Sequence, residues 1–130
     1  MLDTGAFISA ADGTRATLVQ MEAARKRGLL YVSAHNYAEF YRGGARSARE
    51  ARLVNQWRPQ LLEVGLDEGK LAGELLAATG RDNSMDALVV AAAVKHAMDE
   101  IFTVDVNDIE QLCAAIPNGR RRDILVVDVR

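Results

Sequence analysis

The order of apolar and polar positions divides the chain into short strand-like pieces and longer helical stretches. Met1-Leu2 is the stub of a first strand, and Gly5 to Ala11 suits a short helix. From the capping residue Thr14 onward, Leu18, Met21 and Ala24 fall on one helical face, and Gly28 stands at the usual stop position. Leu29 to Val32 reads as a strand. Ser33 can then cap a helix that carries Glu39 and ends at Arg42-Gly43-Gly44. Ala48 to Trp57 is helical, with Pro59 marking its end. Leu61 to Val64 is strand-like. The next helix begins at Asp67, places Leu71, Leu75 and Leu76 on one face, and closes at Gly80. After the polar run Arg81-Asp82-Asn83, Ser84 caps a helix from Met85 to Met98. It is apolar on nearly every side as far as Lys95, so it is expected to be central and buried. Ile101 to Val104 is a strand, Asp108 to Ala115 a helix, and Ile124 to Val127 a final strand.

Strands that alternate with helices predict an α/β fold with a parallel sheet and helices on both faces. The 130 residues suffice for one domain, 1–130, with a real core. Aromatic residues make up only 5%, so Ala, Val and Leu must fill most of that core. No apolar run reaches the length of a membrane span, and the N-terminus lacks the basic region and apolar stretch of a signal peptide. The single cysteine, Cys113, excludes an internal disulfide framework and fits a reducing cytosol. Flanked by Leu112 and Ala114, it reads as a small core residue. A cytoplasmic location is expected.

The net charge of −2 does not suit a protein that wraps nucleic acid by bulk charge. The basic residues are grouped, however, as Arg25-Lys26-Arg27, as Arg42, Arg46, Arg49 and Arg52, and as Arg120-Arg121-Arg122. Taken alone, such runs are solvated faces. Around an acidic metal centre they can still hold a nucleic acid.

The acidic residues change the picture. Asp3 and Asp105 each directly follow a predicted strand, which places them at the same edge of a parallel sheet, where ligands bind. Asp86 opens the most apolar helix, where an unpaired charge is costly. Glu39 lies on the helix after Ser33. Each has a local alternative: Asp3 as a helix cap, Glu39 paired with Arg42, Asp86 favoured by the helix dipole, Asp105 in an Asx-turn. A bound cation accounts for all of them together. Clustered carboxylates repel unless neutralised, and an all-oxygen cluster suits Mg²⁺ or Mn²⁺. Such an ion polarises a phosphate and lowers the pKa of water, which points to hydrolysis of phosphate esters. No phosphate-binding glycine loop, nucleophile elbow or zinc-type Cys/His spacing is present. His35 and His96 read as surface or helix-end residues.

At this point the chain resembles the PIN domain family, and in particular VapC-type toxins of bacterial toxin–antitoxin pairs. Leu2-Asp3-Thr4-Gly5-Ala6-Phe7-Ile8 is similar to the opening motif, with Gly5 where Ser is commoner. Ala38 to Gly44, Ser84 to Ala93 and Thr103 to Ile109 resemble the second, third and fourth. The resemblance implies a three-layer fold with a central parallel sheet flanked by helices, and a Mg²⁺- or Mn²⁺-dependent ribonuclease. It also implies a homodimer, inhibited by a small VapB-type antitoxin whose tail enters the site. Carried over, Asp3 and Asp86 are metal ligands, and Glu39 and Asp105 complete the acidic cluster. Asp108 is an outer member, Thr4 and Thr103 orient carboxylates, and Arg42 contacts RNA or structures the site. Asn83 stands where many relatives carry another acid. The first strand is short because the numbering begins two residues before Asp3, which points to a late-assigned start codon or to residues missing upstream. The rival readings are a catalytically weak PIN-like binding or scaffold module, and a small Mg²⁺-dependent phosphatase.

Overall fold

The computed structural model describes residues 1–42 and 47–130. The expected helix stop at Gly43-Gly44, and Arg46, lie outside the described residues. The elements run α1 (Thr4–Asp12), α2 (Arg15–Arg27), β1 (Tyr31–Ser33), α3 (Ala34–Arg42), α4 (Ser47–Trp57), β2 (Gln60–Leu62), α5 (Leu66–Thr79), α6 (Ser84–Lys95), β3 (Glu100–Thr103), α7 (Val106–Ala114), a 3-10 turn at Asn118–Arg120, and β4 (Leu125–Asp128).

All strand pairing is parallel, but it does not form the single sheet expected from the sequence. There are two two-stranded sheets, β1 with β2 and β3 with β4. Val32 lies opposite Leu61 in one, and Thr103 opposite Asp128 in the other. The Met1-Leu2 stub lies between them. Leu2 forms an isolated parallel bridge with Phe102, its N–H donates to the Tyr31 carbonyl (2.8 Å), and the Asp3 N–H donates to the Phe102 carbonyl (3.0 Å). Two residues are too few for a ladder, and this is why the pairs stay separate as sheets. Strand limits also move by one or two residues, since Leu29, Glu63 and Val64 take no part in pairing.

Side chains alternate along the strands between two apolar clusters. Ile101 packs with Leu71, Leu75, Val90, Ile109 and Leu112. Its neighbour Phe102 packs on the other side with Phe7, Met21, Val32, Phe40 and Leu53. Met1 and Leu2 divide in the same way. The strands are therefore covered by helices on both faces, the environment in which parallel pairing occurs. Helix α6 is buried as its sequence predicts, from Ala87 through Val89 to Ala93, and small residues let α5 and α7 approach it closely.

The caps show how the sequence fixes the helix ends. Asp3, in extended backbone, starts α1 by accepting from the Ala6 amide (2.7 Å). Thr14 occupies the cap position of α2 but makes no side-chain cap bond. For α6 the cap is Asn83 and not Ser84. Its Oδ1 accepts from the amides of Met85 (3.1 Å) and Asp86 (3.4 Å), and its Nδ2 donates to the Asp86 carboxylate (2.6 Å). The same helix ends at Lys95, short of Met98, because Ala97 turns to a left-handed φ of 54°.

Where α6 ends, it meets the start of α5 through a buried carboxylate. Glu68 is 1% exposed and accepts through Oε2 from Lys95 Nζ (3.0 Å) and the Gly65 amide (3.1 Å). His96 Nε2 stands 3.6 Å from Oε1, which has no hydrogen-bond partner. Cys113 is half-buried, and burial followed by the Glu110 charge pushes its thiol up to about 11, which keeps it unreactive. Among the described residues no helix is long and apolar enough to cross a membrane.

Candidate active site

The parallel bridge between Leu2 and Phe102 makes the first strand stub and β3 run the same way. Asp3 and Asp105 therefore leave the same edge. Asp3 is 3% exposed, and both its oxygens are held. Oδ1 caps α1, and Oδ2 accepts a short hydrogen bond from the Thr103 hydroxyl. The same Thr103 oxygen accepts from the Asp105 amide (2.8 Å), so one buried threonine joins two acidic positions. Burial pushes the Asp3 carboxyl up to about 6. The Ala6 and Thr103 hydrogen bonds oppose that rise, and the Asp105 charge adds to it.

Asp86 is half-buried in the first turn of α6. Burial, followed by the charges of Asp3, Asp105, Asp108 and Glu39 in that order, raises its carboxyl to about 6. All four other acidic positions therefore act on Asp86. Glu39 is half-buried on α3, and the described residues contain no Glu39–Arg42 ion pair. Asp105 is exposed at the cap position of α7 but makes no side-chain cap bond, so the Asx-turn alternative is not formed. Asp108 is ion-paired with Arg81 (2.6 Å), whose Nε also donates to Gln111 (3.2 Å).

Two supporting threonines were expected to orient carboxylates. Thr103 does so. Thr4 does not: its Oγ1 accepts from Asn36 Nδ2 (2.9 Å). Arg42 is exposed at the last residue of α3. Arg49 and Arg27 are already engaged, with Asp12 (2.8 Å) and Glu100 (2.8 Å).

Four features escaped the sequence reading. Asn36 is fully buried and bonded to Thr4 and Ser33. Its spacing of three from Ser33, like a capping box, was the available signal. His35 is more than a helix-end residue: it contacts the Ser33 hydroxyl (2.8 Å) and feels the backbone of Met85. Burial lowers its pKa, while Met85 and Glu39 oppose that shift. Arg130 is held by the Asp128 carboxylate through Nε (3.0 Å) and Nη2 (3.0 Å), and it feels the charge of Asp105. The two-residue spacing of Asp128 and Arg130, which puts both on one strand face, could have shown this. Finally, a Cβ at Gly5 would stand 2.3 Å from Val104 Cγ2. Any side chain at this position requires Val104 to shift, a long-range constraint with no local signal.

Among the described residues no three His, Cys, Asp or Glu side chains stand in an arrangement that could hold a metal ion. The donor set nevertheless fits a hard divalent cation. It is all carboxylate oxygen, and the repulsion that raises Asp86 is what such an ion relieves. Asp105 is exposed, and Asp86 and Glu39 are half-buried, with one Asp86 oxygen held by Asn83, whereas Asp3 is buried with both oxygens held.

The family model for the PIN domain matches residues 1–114. No curated protein and no solved structure matches the chain. The matched stretch includes Asp3, Glu39, Asp86, Asp105 and Asp108 together with the threonines that flank them, and the chain belongs to the PIN domain family, whose members are typically metal-dependent nucleases.

Proposed function

We propose that this protein is a Mg²⁺-dependent endoribonuclease, with Mn²⁺ able to substitute, and the toxin of a VapC-type toxin–antitoxin pair acting in the cytoplasm as a homodimer. The observation that carries the reading is that Asp3 and Asp105 leave the same strand edge and are joined through Thr103, with Asp86 close enough to feel the charges of both. In this reading the two strand pairs and the stub between them serve as one central parallel layer flanked by helices.

Asp3 and Asp86 would hold the ion, with Glu39 and Asp105 completing its surroundings and Asp108 outside them. Bound there, Mg²⁺ would polarise a phosphodiester and lower the pKa of the attacking water. The chain supplies the rest. Thr103 fixes one Asp3 oxygen, so that carboxylate does not turn away when substrate arrives. Asp105, exposed and without a side-chain cap bond, would accept a proton from water. RNA affinity must come from local cations, because the whole-protein charge is negative. Arg42 and Arg130, both exposed, would meet the phosphate backbone, the latter oriented by Asp128. A VapB-type antitoxin tail with a basic residue would pair with the same acidic pocket and displace the ion.

The test is incubation of the purified protein with total RNA. Cleavage is expected with Mg²⁺ and lost with EDTA. Intact RNA under both conditions would leave a binding module in place of an enzyme. For the partner, the cognate antitoxin is titrated against cleavage with its basic tail residues intact or replaced by alanine. Equal inhibition by both forms would exclude occlusion of the acidic site.

A further inference from the structure

We propose that Asn36 is a positioning residue, the neutral tie that holds the Glu39 helix against the Asp3 end of α1; this rests on reading the carboxylates as a metal-dependent nuclease site. Asn36 is fully buried, and three of its hydrogen-bonding capacities are used. Its Oδ1 accepts from the Ser33 amide (3.0 Å) and the Ser33 hydroxyl (2.6 Å). Its Nδ2 donates to Thr4 Oγ1 (2.9 Å). Thr4 directly follows Asp3, and Glu39 lies one helical turn beyond Asn36. The bond therefore joins two acid-bearing segments 32 residues apart in sequence.

The tie continues toward a third segment. The Ser33 hydroxyl contacts His35 Nδ1 (2.8 Å), and the His35 ring is near enough to the backbone of Met85, the residue before Asp86, to feel it electrostatically. Thr4, Asn36, Ser33 and His35 form one polar string that joins the segments of Asp3 and Glu39 and comes near that of Asp86. Asn36 is its centre.

Two physical arguments make this more than helix packing. Helices α1 and α3 are already held by apolar contact, with Phe7 5.1 Å from the rings of both Tyr37 and Phe40. Such contact is non-directional and tolerates sliding. A hydrogen bond of good geometry does not, so it is the Asn36–Thr4 bond that sets register at the acidic end. Moreover, the carboxylates repel, so the tie must work against charge. An Arg or Lys in this place would neutralise the acids and compete with a metal cation. A buried amide holds the segments together and leaves their charge available.

The experiment compares wild type with Asn36→Ala, Thr4→Val, Thr4→Ser and the double variant Asn36→Ala/Thr4→Val. Mn²⁺ binding is read from the electron paramagnetic resonance of the free ion, RNA cleavage is followed against Mg²⁺ concentration, and Tm and near-UV circular dichroism report the fold. Asn36→Ala and Thr4→Val are expected to weaken Mn²⁺ binding about tenfold. They should also raise the Mg²⁺ needed for cleavage in proportion. Thr4→Ser, which keeps the acceptor, should match wild type, and the double variant should be no worse than either single one. A residue that only supports the fold would lower Tm and leave Mn²⁺ affinity unchanged. A folded Asn36→Ala that binds Mn²⁺ like wild type overturns the proposal. If Asn36→Ala does not fold, equal Mn²⁺ affinity in Thr4→Val and Thr4→Ser overturns it. Weakened Mn²⁺ binding in the variants, with no RNA cleavage by wild type, refutes the nuclease reading and leaves the positioning role standing. RNA cleavage by wild type with variants unaffected does the reverse. A wild type that binds no Mn²⁺ defeats both.

Discussion

Asp3 and Glu68 are both buried carboxylates, 3% and 1% exposed, yet they are displaced in opposite directions. Burial is the largest influence on each and pushes both upward. At Glu68 it is outweighed by hydrogen bonds from its own amide, Lys95 and Gly65 and by the Lys95 charge, so the carboxyl ends below its usual range. At Asp3 the hydrogen bonds from Ala6 and Thr103 are not enough, the Asp105 charge adds to burial, and the carboxyl rises to about 6. The chain has balanced one charge with its own cations and left the other facing further acids. Burial alone thus does not separate structural from functional carboxylates. What separates them is whether the chain itself supplies the counter-charge.

The largest expected effect tests that division directly. Asp3→Asn and Asp86→Asn should each reduce Mg²⁺-dependent RNA cleavage by about a hundredfold or more, whereas Glu68→Gln should leave the rate per folded molecule unchanged. Cleavage assays on protein quantified by active fold would break the comparison if Glu68→Gln were the more damaging.

Stability against pH comes next. The folded-state pKa of Asp3 is raised from 3.8 to about 6, so the folded chain binds this proton more tightly than the unfolded chain. Its contribution is fully present below the unfolded pKa and is lost as pH rises through about 6, a change of about 3 kcal/mol. Asp86 acts in the same direction. Glu68, whose pKa is lowered, contributes above its unfolded value of 4.5 and loses that contribution as pH falls below it. Urea melts without metal should therefore lose stability between pH 4.5 and 7.5. Mn²⁺ should restore it at pH 7.5 more than at pH 4.5, where protons compete. An Asp3→Asn variant should flatten that profile. One that leaves the profile unchanged would show that Asp3 is not the group responsible.

Smaller effects sharpen the comparison at each centre. Glu68→Gln should cost about 2 kcal/mol by weakening the Lys95 and Gly65 bonds, measured as a shift in denaturation midpoint. On the Asp3 side, Gly5→Ser should cost about 1 kcal/mol, because the new Cβ meets Val104 Cγ2 at 2.3 Å. Adding Val104→Ala should recover most of that loss. A double variant no better than Gly5→Ser alone would place the strain elsewhere.

The sequence announced α6 well, because an unbroken apolar run has one outcome in a chain of this size. It also announced Asp3, Asp86 and Asp105, since each falls at an element end that hydrophobic patterning marks, whereas Glu39 lies within a helix. Cap identity was less legible. Asn83 and Ser84 are both good caps, and only the folded chain shows that Asn83 takes the amides of Met85 and Asp86. Contacts between distant residues left no trace in local pattern. The Asn36–Thr4 bond, the Gly5–Val104 approach and the Arg130–Asp105 proximity all depend on how elements are brought together. The division into two strand pairs was missed for a related reason: periodicity predicts strands, whereas the extent of a ladder depends on how many residues each strand offers its neighbour.

The pairing of β3 with β4 has a practical side. The family match ends at residue 114, but β4 at Leu125–Asp128 completes the hydrogen bonding of Glu100–Thr103. A chain shortened to the matched region would leave β3 with a bare row of backbone donors and acceptors along one side, an invitation to intermolecular strand addition. Thr103, which holds Asp3, sits on that same strand. Trimming to the family boundary would thus couple aggregation to a loosened acidic site, and the safe limit for any shortened form lies beyond Asp128.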